Sequence, residues 1–255
     1  MYHSITIGDK NTWDDWHLIP SSRPVFNPPA VKTRYLDVPG ANGSLDLTGS
    51  LTGYPVYQNR EGSFEFYVDN EHAPWHEIYS SVMSYLHGQK MNAILEDDPE
   101  YYYQGRFSVD SWKSQKDNSM ITINYNVSPY KWAVKSSIEP WLWDPFSFVS
   151  GVITSGIFSG ITVSSGGTPL TFDTKEVGDA PISVGFVAGS NAGVRLTISG
   201  KDDVNIAAGS SQKVPGLIMY RGTWLYGGRP AEVIAYPSQG SSSATLSMDF
   251  RRGRF

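Results

Sequence analysis

Few residues in this chain are spaced for chemistry. His76-Glu77 opens like the zinc-protease pattern HExxH, in which two histidines one helical turn apart hold the metal, but the second histidine position is Ser80. His72 and His76 have the i, i+4 spacing of a metal pair, yet Pro74 between them puts His72 outside the hydrogen-bonded body of any helix there. An exposed pair without a third ligand is expected. His87, beside Gly88, needs only a helix C-terminus to explain it. The run Glu96-Asp97-Asp98-Pro99-Glu100 lacks the alternating Asp/Asn ligands and the glycine of a calcium loop. Adjacent carboxylates also say nothing about a pair spanning a scissile glycosidic bond, so a solvated turn is expected. Tyr101-Tyr102-Tyr103 then supplies packing area, and Ser164-Ser165-Gly166-Gly167 lacks the Lys-Ser/Thr ending of a phosphate-binding loop. The chain has no cysteine, which removes disulfides and thiolate-bound zinc. The reading is a non-enzyme with no catalytic residue, cofactor or metal.

The elements around these residues are mostly strands. Tyr2 to Gly8 and Trp13 to Ile19 read as strands about a turn at Gly8 to Asn11, followed by strands at Ser63–Val68, Met91–Leu95, Gly105–Trp112 and Ser119–Val127. One helix is predicted. Trp75, Ile78, Tyr79, Val82, Met83 and Leu86 form a continuous apolar stripe, with Pro74 at its start and Gly88 at its stop. Between the second and third strands lies an arm, Arg34 to Glu65, punctuated by Pro39-Gly40, Asn42-Gly43 and Gly53-Tyr54-Pro55. Ser44 to Thr48 alternates polar and apolar. Leu45, Leu47, Leu51, Tyr54, Val56 and Tyr57 would together gain on the order of several kcal/mol from burial, so a partner surface is expected, in part a neighbouring subunit.

Four blocks in order, Arg34 to Glu65, Trp75 to Gly88, Leu95 to Trp112 and Val127 to Lys131, resemble the N-terminal domain of siphophage distal tail proteins. They cover roughly the first half of the chain. The resemblance implies a ring, hexameric in the family, at the distal tail tip of the virion, assembled in the host cytoplasm. It also implies contacts with the tail tube protein, the tail-associated protein and receptor-binding or fibre proteins.

Composition agrees with a mainly β protein: 25 Gly, 16 Pro and 8 Trp, 15 Tyr and 11 Phe, with 18% charged residues. The formal charge of −5 argues against nucleic acid as a partner, and no apolar run reaches a membrane-spanning length. Arg251-Arg252-Gly253-Arg254 reads as a solvated basic end, and the N-terminus lacks a signal-peptide pattern. A junction is placed within Tyr130 to Glu139, giving an α+β domain over 1–135 that the resemblance implies is ring-forming and tail-tube-like, a β-sandwich or split barrel with one helix and the extended arm. Residues 136–255 form the second domain. There, short strands between Gly, Ser and Asn turns predict a galectin-like or jelly-roll β-sandwich without helical stripe, with an apolar stretch over Gly151 to Ile157. A carbohydrate-binding module is the alternative function, with Trp224 and Tyr226, and with Trp141 and Trp143, as a stacking platform for cell-wall glycan.

Overall fold

The computed structural model describes residues 3–69, 74–114, 119–140 and 156–255, with side chains of 111–114 excepted. His72, Trp141, Trp143 and residues 151–155 of the Gly151 to Ile157 stretch lie outside the described residues. The chain divides into two compact units, Met1–Lys32 with Tyr57–Trp132, and Thr33–Val56 with Ala133–Phe255.

In the first unit β1 (Ile5–Ile7), β2 (Lys10–Asn11) and β3 (Leu18–Pro20) precede β4 (Tyr35–Asp37) and β5 (Ser44–Asp46) of the arm, which belong to the second unit. The first unit resumes with β6 (Arg60–Val68), α1 (Trp75–Leu86), β7 (Lys90–Leu95), β8 (Tyr101–Ser114) and β9 (Ser119–Val127), and β10 (Lys131–Ala133) runs across the division. Its main sheet has the order β2-β1-β7-β8-β9-β6-β3, and the named pairings along it are antiparallel. β6 and β9 pair without a break from Arg60↔Val127 to Val68↔Ser119. Because side chains alternate along a strand, Phe64, Phe66 and Val68 share one face with Ile121, Ile123 and Tyr125. The helix stripe covers that face: Ile78, Val82 and Leu86 are buried, and Trp75, Tyr79 and Met83 pack at its flanks.

Both helix ends follow from backbone chemistry. Pro74 occupies the N-cap position, one residue ahead of the first turn, and its carbonyl accepts from Glu77 N at 3.0 Å. Gly88 (φ +75°) ends the helix after His87, and its N–H donates to Phe107 O at 2.8 Å, tying the helix end to β8. The strand expected over Trp13 to Ile19 is cut to its end. Asn11 Oδ1 accepts from Trp13 N at 2.8 Å and Asp14 N at 3.2 Å, making a side-chain turn that rolls Trp16 into the core, where its indole reaches Ser81 Oγ.

In the second unit β11 (Ile161–Ser164), β12 (Thr168–Pro169) and the one-turn helix α2 (Thr174–Val177) precede β13 (Gly185–Ala188), β14 (Val194–Ile198), β15 (Lys201–Ile206) and β16 (Ser211–Lys213). Then follow β17 (Leu217–Tyr220), β18 (Thr223–Tyr226), β19 (Arg229–Ala231), β20 (Val233–Pro237), β21 (Ser243–Asp249) and β22 (Gly253–Arg254). Two antiparallel sheets, β11-β21-β13-β16 and β12-β20-β14-β15, pack on each other as a sandwich. A third, β17-β18-β19, lies beside them in sequence. α2 is a turn the apolar pattern did not announce, yet Asp173-Thr174-Lys175-Glu176 forms a full capping box, readable in sequence.

The basic C-terminal run is not a solvated end. Gly253 O accepts from Asp179 N at 2.7 Å and Ala180 N at 3.1 Å, Arg252 is buried with a guanidinium contact to Lys175 O, and Arg251 bonds Ala133 O. Main-chain groups drawn into a sandwich need partners, and the last residues supply them.

If the helix stripe holds the first unit, Ile78→Ala and Leu86→Ala should each cost about 2–5 kcal/mol. Glu77→Ala, at an exposed position, should stay within about 0.5 kcal/mol. Chemical denaturation of the three variants measures this, and equal small losses would remove the helix from the core.

Candidate assembly arm

The arm starts from a strap. Residues 21–30 follow β3 and carry Pro24, Pro28 and Pro29, which lack the N–H that a sheet ladder would require. Phe26 pins the strap among Phe64, Tyr103 and Tyr125, with ring centroids 5.1, 4.1 and 4.7 Å away. Asn27 N donates to Tyr125 Oη at 2.9 Å, and Asn27 Nδ2 to Glu61 O at 2.8 Å. Arg60 completes the pin from below: Nη1 donates to Asn27 O at 3.0 Å and Nε to Pro129 O at 2.9 Å, with the guanidinium 5.4 Å from the Tyr103 ring centre. Burial lowers the Arg60 pKa and raises those of Tyr103 and Tyr125. The chain then leaves the first unit after Lys32.

β4 and β5 form a hairpin with the register Tyr35↔Asp46, Leu36↔Leu45 and Asp37↔Ser44. Its turn, Val38 to Gly43, uses positive φ at Gly40 (+83°) and Gly43 (+76°). Ser44 Oγ donates to Asp37 across the ribbon. At the base, Leu47 N donates to Arg34 O at 2.8 Å and Arg34 N to Thr48 Oγ1 at 3.1 Å. Hydrogen bonds from Thr48, side chain before backbone, lower the Asp46 pKa. The ribbon remains open on both faces: Tyr35 is 57% exposed, Leu45 53% and Leu51, beyond the base, 90%.

The six arm residues singled out by sequence therefore divide. Leu45 and Leu51 are exposed, whereas Leu47, Tyr54, Val56 and Tyr57 are half-buried. Tyr54 lies against Tyr220 at 5.1 Å, and burial raises its pKa. Tyr57 belongs to the first unit, where it bridges Val31 and meets Tyr130 edge-on. Sequence reasoning missed Tyr35, Leu36 and Val38, which add to the exposed apolar set. Their alternation just ahead of Pro39-Gly40 was the available signal, because a strand before a turn faces the strand after it.

The other candidates are absorbed by structure. Trp224 is 4% exposed, donates its indole N–H to Leu170 O at 2.7 Å and packs against Phe172 and Phe186, so it offers no face to a sugar. Tyr226 is half-buried with Lys201 Nζ 5.6 Å from its ring centre. A large indole gains more in the core than on a platform once its one donor finds a carbonyl. The carboxylate run is parcelled out: Glu96 accepts from Ser4 N at 2.7 Å, Asp97 from Arg23 Nε at 2.9 Å and His3 Nδ1 at 3.0 Å, and Asp98 pairs with Lys131 Nζ at 2.7 Å. Among the described residues no three His, Cys, Asp or Glu side chains are grouped to hold a metal, and no helix is long and apolar enough to cross a membrane.

Comparison with solved structures gives the fold. The chain matches the crystal structure of SPP1 Dit, described as a paradigm of the hub adsorption apparatus in phages infecting Gram-positive bacteria, with a TM-score of 0.55 and 10% identity over 98% of this chain and 99% of that one. No protein-family model and no curated protein matches the sequence. The chain is thus a mainly β protein with a distal-tail-protein fold along nearly its full length.

The hydrogen bond from Arg23, ahead of that from His3, holds Asp97 below the ordinary carboxylate range. A depressed folded-state pKa contributes stability above the unfolded value and loses it as pH falls through the folded one. The melting-temperature difference between the native chain and Asp97→Asn should therefore be full at neutral pH and shrink below about pH 4. Melts across a pH series check this, and a difference independent of pH would show that the ion pair contributes nothing.

Proposed function

We propose that this chain is a structural component of the distal end of a siphophage tail, closing into a ring, a hexamer, that joins the tail tube to the adhesion device. In this reading the arm makes subunit contacts, and the ring meets the tail tube protein, the tail-associated protein and receptor-binding or fibre proteins. Assembly takes place in the host cytoplasm and the product resides in the virion. The observation that carries the reading is the hairpin with Leu36 paired to Leu45 and both exposed, in a chain with the fold of a phage hub protein. A two-stranded ribbon with apolar residues on open faces is marginal alone and gains by burial against another surface. Closed rings reuse one such patch against a complementary patch on the next copy. No catalytic role is assigned.

Replacing Leu45 and Leu47 with Ser should weaken self-association by about tenfold or more, since each leucine buried between subunits gains roughly 1.5–3 kcal/mol. The melting temperature of the isolated monomer should change less. Mass photometry over a concentration series, with and without tail tube protein, reads assembly, and circular dichroism melts read stability. Unchanged assembly with a large stability loss would place these leucines in the protein's own core, and a native chain that stays monomeric and fails to join the tube would end the ring reading.

A further inference from the structure

The two-residue turn Gly227-Gly228 joins β18 to β19 at the Tyr226↔Arg229 pair. Both glycines have positive φ, +57° and +77°, as a tight hairpin of this hand requires. Only one has a second constraint. A Cβ on Gly228 would stand 2.8 Å from Leu51 O, and a Cβ on Gly53 (φ +76°) would stand 2.4 Å from Gly228 O, whereas a Cβ on Gly227 would meet nothing within 4 Å. Backbone of the arm therefore rests directly on backbone of this turn. Beside the contact the Tyr54 and Tyr220 rings lie 5.1 Å apart, and the Arg221 guanidinium is 5.5 Å from the Tyr220 ring centre. Gly53 N donates to Gly49 O at 2.9 Å and Thr52 Oγ1 to Tyr54 O at 2.6 Å, so residues 49–54 are a folded foot. Leu51, in the middle of that foot, is the most exposed large apolar side chain among the described residues.

We infer that the Gly53–Gly228 contact is the mount of the arm: the β18–β19 turn fixes the foot in the pose that presents Leu36, Leu45 and Leu51 to a neighbouring copy, so the second unit sets self-association together with the arm. The inference rests on the arm being the assembly element. A mounted arm loses less freedom on binding than a loose one, and preorganisation of this kind raises affinity without adding a contact. The mount consists of a glycine pair that no residue with a Cβ can replace.

The test compares Gly228→Ala with Gly227→Ala in the full-length protein. Both carry the cost of alanine at positive φ, and only the first meets Leu51 O. Gly228→Ala should weaken self-association by about tenfold relative to Gly227→Ala and speed protease cleavage within residues 47–54. Tyr54→Ala and Tyr220→Ala, which leave the turn intact, should weaken association by about two- to tenfold, which keeps the inference testable if Gly228→Ala fails to fold. Equal association and equal cleavage for the two glycine variants, or for the tyrosine variants and the native chain, would overturn the mount while leaving the ring reading standing. Failure of the native chain itself to associate would end both.

Discussion

The chain leaves its first unit at Lys32 and re-enters it at Tyr57, and everything proposed for the arm depends on holding those two points together. The antiparallel bridge Val31↔Tyr57 and the hydrogen bond from Gln58 N to Ala30 O, 2.7 Å, close the excursion. Closure has an entropic cost that grows slowly with loop length, so a modest set of contacts suffices if it is rigid. The rigidity comes from behind. Phe26 sits in an aromatic pocket, and the Arg60 cation, 4% exposed, bonds carbonyls of the strap and of the β9–β10 connection at once. Taking a guanidinium out of water is costly, and two carbonyls with one ring face offset part of that cost, while Nη2 is buried without a hydrogen-bond partner among the described residues.

The far side of the excursion is held in a different currency. The strap uses side chains, whereas the foot of the arm rests on the second unit through main chain, where Gly53 and Gly228 approach more closely than any Cβ permits. Between the two anchors the hairpin keeps its register through the Arg34, Leu47 and Thr48 bonds and exposes apolar residues on both faces. A ribbon held in register with its apolar faces unburied orders chain where it gains no burial of its own. That balance is what a contact with a further subunit would complete.

Residues that resembled chemistry turned out to be fasteners. The run of acids after Leu95 read in sequence as a solvated turn, yet Glu96 caps the start of β1, Asp97 joins the N-terminal segment to the strap through His3 and Arg23, and Asp98 meets Lys131. Glu96, Asp97 and Asp98 thus turn to different neighbours, and among the described residues no three such side chains are grouped to hold a metal. Trp224 followed the same course, because its ring had a core to fill and its N–H had a carbonyl to reach.

What the sequence determined by itself is everything governed by period and by local turn chemistry. The 3.6-residue stripe gave Trp75–Leu86 to the residue, the two-residue alternation gave Ser119–Val127 with its buried Ile121, Ile123 and Tyr125, and the Pro-Gly and Asn-Gly pairs located the turn of the arm hairpin. The ordered blocks also carried the resemblance whose fold the structure shares. Tertiary structure decided what depends on distant partners. Thr33–Val56 groups with Ala133–Phe255, although a cut at 135/136 would leave it with the first domain, because Gly53 and Tyr54 meet Gly228 and Tyr220, more than 160 residues away. The burial of Arg252 and Trp224 and the exposure of Leu51 likewise follow from neighbours that no local pattern names. Periodicity reports which face of an element is apolar; only packing decides whether that face is covered, and by what.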